Sequence, residues 1–102
     1  MDPFAWQDRF AAFVNQSMTA DPAHDPSHIR RVVQNALQLA TLEHADLNVV
    51  IPAAWLHDCV IVLKDSTQRS QASRLAAETA VSYLQAIAYP SQYQDAIAHA
   101  IE

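Results

Sequence analysis

Residues 25–58 read DPSHIRRVVQNALQLATLEHADLNVVIPAAWLHD, and their pattern decides the fold. Asp25-Pro26 is a helix start, with the acid as N-cap and proline in the first turn, where its missing N–H costs nothing. Ile29, Val32, Val33, Ala36, Leu37 and Ala40 then recur at helical spacing, which predicts a helix to about His44. The next apolar block, VVIPAAWL at 49–56, has no polar face, and a helix without one is buried. Pro52 would break a helix interior. This helix is therefore expected to begin at Val49 to Ile51, close after Asn48, and to end near Asp58.

Working outward, Asp2-Pro3 repeats the start signal. Phe4, Ala5, Phe10, Ala11, Phe13 and Val14 give a first helix an apolar stripe to about Met18, and Thr19 to His24 is a turn. Cys59 to Lys64, CVIVLK, is rich in β-branched residues, but a lone strand would have no partner, so it is read as a loop or a helical extension. Asp65 or Ser66 caps a fourth helix through about Ile87, carrying Leu75, Ala76, Thr79, Ala80, Tyr83 and Leu84. Pro90-Ser91 starts a fifth, where Ser91 and Gln94 resemble a capping box. Its end, IAHAIE, stops in mid-pattern without a C-cap glycine or a basic last turn, which leads us to expect a further helix beyond Glu102.

The 102 residues contain no glycine. Hairpins and tight turns between strand and helix lean on glycine for positive φ, and helices joined by Pro, Asp, Asn and Ser turns need it least. The expected fold is a single all-α domain over 1–102, an orthogonal bundle of about five helices.

Composition narrows the function. With 51% hydrophobic residues a real core can form, and with six Lys and Arg against a net charge of −5 the chain is a poor binder of a nucleic-acid backbone. A small molecule carrying one phosphate can still be held locally. The single cysteine, Cys59, excludes an internal disulfide and reads as a buried thiol rather than a nucleophile. MDPFAWQDRF is not a signal peptide, and Val49 to Leu56, the longest apolar run, is too short for a bilayer. A cytoplasmic protein without membrane contact is expected, with a homodimer left open.

The sharpest chemical feature is His57-Asp58, at the end of an otherwise apolar helix. Burying an imidazole and a carboxylate there is costly unless each has a strong partner. The bland alternative is that His57 donates to a backbone carbonyl while Asp58 caps the next turn or pairs with an arginine. His28, in the first turn of the second helix, weighs against that. Two histidines and a carboxylate from two helices make half of an octahedral site, leaving positions for water or substrate oxygens.

Here HDPSHIRRVVQNALQLA (24–40) followed by VVIPAAWLHDCV (49–60) resembles the two defining motifs of the HD superfamily of metal-dependent phosphohydrolases. KDSTQRSQASRLAAETA (64–80) resembles the corresponding region of a group of uncharacterised bacterial HD-domain predicted hydrolases. The likeness spans roughly residues 20–102. It implies an HD-type, phosphodiesterase-like bundle that hydrolyses a phosphoester or nucleotide-type small molecule with a metal-activated water. His28, His57 and Asp58 match the family's metal ligands, 29 residues separating the two histidines. The family completes its site with an Asp from a later helix. Asp95 does not fit that motif, and the expected Asp would lie beyond Glu102. The ion would be a divalent Mg, Mn, Fe, Co, Ni or Zn; no catalytic base is singled out.

Softer candidates remain. His99 shares a helical face with Asp95 and is either a further metal ligand or a surface histidine paired with that acid. Lys64, Arg69 and Arg74 follow the HD pair and could bind substrate phosphate. Lys64, the only lysine, is the strongest of them. Arg31 contacts phosphate or supports the site, Arg30 faces solvent, and His24 faces the substrate. His44 sits at a helix C-terminus, where a cationic ring suits the dipole. Two rivals stand beside the enzyme: a degenerate HD domain sensing a nucleotide or metal, and a structural helical interaction domain.

Overall fold

The computed structural model describes residues 3–17, 26–57 and 71–102. Among them the secondary structure is entirely helical. A 3-10 turn, Pro3–Trp6, leads into α1, Gln7–Ser17; then come α2, Pro26–Glu43, α3, Leu47–Leu56, and α4, Ala72–Ala86. A second 3-10 turn, Ser91–Tyr93, leads into α5, Gln94–Ile101. The all-α bundle is as expected. The turn at 19–24, the segment 59–64 and the start of the fourth helix at Asp65 or Ser66 lie outside the described residues. Among the described residues no helix is long and apolar enough to cross a membrane.

The third helix, apolar all round, is the centre of the bundle. It touches α1, α2, α4 and α5, and Ile51, Pro52, Trp55 and Leu56 are buried on it. Around them pack Phe10 and Val14 from α1, Val33 from α2, Ala76, Ala77, Ala80 and Leu84 from α4, and Ile97 and Ile101 from α5. Each large aliphatic side chain fully withdrawn from water contributes roughly 1.5–3 kcal/mol. The outer face of α2 is less covered, with Leu39 and Leu42 at 60% and 77% exposure.

Two helix boundaries differ from expectation. The third helix begins at Leu47, not at Val49 to Ile51, because Asp46 caps it by accepting a hydrogen bond from the Asn48 N–H at 2.9 Å. Pro52 therefore stands inside the helix. Lacking an N–H, it cannot donate to the carbonyl of Asn48, its partner four residues back. The Tyr89 hydroxyl donates to that carbonyl instead, at 2.6 Å. At the fifth helix no side chain caps the N-terminus. Gln94 is buried, and its Nε2 donates to the Tyr89 carbonyl at 3.0 Å, so the residue read as half of a capping box secures the preceding turn.

With no glycine available, α2 and α4 end on other residues in the left-handed region. His44 has φ 57° and Ala88 φ 60°. The Ala45 N–H donates to the Ala40 carbonyl, and the Tyr89 N–H to the Leu84 carbonyl, both at 2.9 Å. Ala88 N–H adds a bond to Gln85, completing a Schellman closure. His44 thus serves the helix end by its backbone conformation.

Tyr89 is the hub where the chain's two ends meet. Its ring lies edge-on to Trp6 at 5.1 Å and tilted against Phe10 and Tyr93 at 5.9 and 6.3 Å. Trp55 Nε1 donates to Gln7 Oε1 at 3.0 Å, tying α3 to α1. Tyr83 stacks on Phe13 at 3.8 Å and donates its hydroxyl to the Arg9 carbonyl, tying α4 to α1.

Candidate functional site

His57 is the residue directly after α3, with φ −60° and ψ −21°, still helical. Its ring folds back so that Nδ1 lies 2.8 Å from the Ala54 carbonyl oxygen, one of the helix's last four, which have no partner within the helix. A carbonyl only accepts, so Nδ1 carries the proton in this bond. In the neutral ring Nε2 is then left with its lone pair, on a side chain exposed to solvent. The bond is the one the bland alternative calls for. It is also the arrangement that orients an imidazole for ligation, the second ring nitrogen being fixed by a backbone carbonyl.

Beside this ring opens a cleft of about 320 Å³ walled by three helices. Val32 and Ala36 come from α2 and Ala100 from α5. Its floor is one face of α3, formed by Val49, Val50, Ala53 and Ala54, with His57 at the end. Val49, Ala53 and His57 stand four residues apart, as do His28, Val32 and Ala36 on α2, so each set lies along one side of its helix. Val32 and His57 both line the cleft, and His28 stands one turn before Val32, about 6 Å along the axis of α2.

His28 is exposed in the first turn of α2, on the stripe that leads into the cleft but not among its lining. Among the described residues no three His, Cys, Asp or Glu side chains come together as a metal-binding group. Asp58, His24, Asp25, Cys59, Lys64 and Arg69 lie outside the described residues. His99 and Asp95 are exposed on α5, and they form no ion pair. His99 is next in sequence to Ala100, which does line the cleft.

Of the arginines, Arg31 is exposed; it is not among the cleft's lining residues, although Val32, next in sequence, is. Arg30 is exposed as expected. Arg74 lies against Glu78 at 3.5 Å, one turn along α4, and its side chain is 69% exposed. That is an ordinary solvated pair on a helix surface, and it engages the cation that was a candidate for substrate phosphate.

Two tyrosines have displaced ionisation. Burial holds Tyr89 up at about 12, with the neighbouring Tyr93 and the negative Asp46 adding to it. Burial also raises Tyr83, partly countered by Arg9. Neither adjoins the cleft. Sequence reasoning singled out none of the cleft's lining except His57, because Ala and Val carry no chemical signature. The usable signal was the wholly apolar α3 ending on a polar pair.

Comparison with known proteins finds no family model that matches the chain, and no curated protein or solved structure matches it.

Proposed function

We propose that this chain is a metal-dependent phosphohydrolase of the HD type, acting on a phosphoester or nucleotide-type small molecule. The observation that carries the reading is the His57 ring, tethered through Nδ1 to the Ala54 carbonyl with Nε2 presented beside a cleft. A divalent ion needs such a donor: neutral, oriented and accessible. His57 would hold the ion, with Asp58 and His28 as further donors. Bound there, the ion would polarise a phosphoryl oxygen and acidify a bound water.

The chain's own part is positioning and charge. The Ala54 carbonyl selects the ring tautomer, and its bond restrains the ring against rotation. Arg31, next to Val32, offers an exposed guanidinium for two phosphate oxygens at once. His28, one turn before Val32 on α2, would be a further donor from that helix.

A second reading is a binding module without turnover. It is favoured by the lack of any three-donor group among the described residues. Elemental analysis after equilibration with manganese separates these readings from a purely structural role. We expect the intact protein to retain manganese and His57→Ala to lose it; a protein that takes up no metal overturns the phosphohydrolase reading and leaves, of the modules, only one that senses a nucleotide. Turnover of phosphate esters by the manganese-loaded protein, abolished in His57→Ala, then separates enzyme from module. Undiminished turnover in that variant refutes the mechanism.

A further inference from the structure

We draw no further inference here: the strongest candidate, the apolar outer face of α2 around Leu37, Leu39 and Leu42, carries nothing, because nothing among the described residues shows what covers it.

Discussion

The Tyr89 hydroxyl and the Asn48 carbonyl, 41 residues apart, meet at 2.6 Å because Pro52 leaves that carbonyl without its helical donor. A helix interrupted at its sixth residue is thus made whole from outside. The side chain doing so comes from the turn that follows α4.

This relationship predicts a coupling. Tyr89→Phe keeps the ring contacts but strands a part-buried carbonyl, and should cost about 1–3 kcal/mol. Pro52→Ala restores the N–H, so Tyr89→Phe made in that background should cost about 1 kcal/mol less. Urea denaturation of the four proteins measures it. Strict additivity would mean that the two residues are not linked through Asn48.

The same tyrosine predicts a limit in alkali. A phenol whose pKa rises on folding holds its proton more tightly in the folded state. Its contribution is full below pH 10 and is lost as pH climbs toward about 12. Tyr83 shifts in the same direction. Stability measured across that window should fall in the native chain and fall less in Tyr89→Phe; an equal fall in both would place the ionisation elsewhere.

The helix ends offer a gain. An alanine in the left-handed region is disfavoured, and glycine relieves it at some entropic cost in the unfolded chain. Ala88→Gly should stabilise by about 0.5–1 kcal/mol, and His44→Gly by less, since histidine tolerates that region better. Thermal melting will show the ordering. A destabilised Ala88→Gly would contradict the closure described for α4.

The arginines should separate in a kinetic assay. Arg74→Ala removes a solvated pair with Glu78 and should leave KM unchanged and stability within about 0.5 kcal/mol. On the proposed phosphohydrolase reading, Arg31→Ala should raise KM for a phosphate ester severalfold, in keeping with one lost charge-assisted contact. The reverse pattern would move the phosphate site to α4.

Much of this architecture is legible in the residues. Pro26 and the stripe through Val33 and Ala40 mark α2, and the polar-free run at 49–56 marks the buried α3. The start of α3 is not legible locally, because proline is a helix breaker by itself and its remedy, Tyr89, is remote in sequence. The Gln94 contact escaped for a similar reason: a glutamine three residues after a serine looks the same whether it caps its own helix or braces the previous turn. In the candidate site, His57 could be picked out because a polar residue ending an apolar helix is conspicuous. The cleft could not, since alanine and valine come to line one only where three helices leave a gap between them.

The central place of α3 also bears on how long the site persists. An element touching all four other described helices cannot loosen alone, so the amide hydrogens of Ile51, Trp55 and Leu56 should exchange with solvent only when the entire domain opens. Ala54 rides on the same element. The acceptor of the His57 bond is therefore held in place as long as the domain stays folded, while the exposed ring itself can exchange that bond for water.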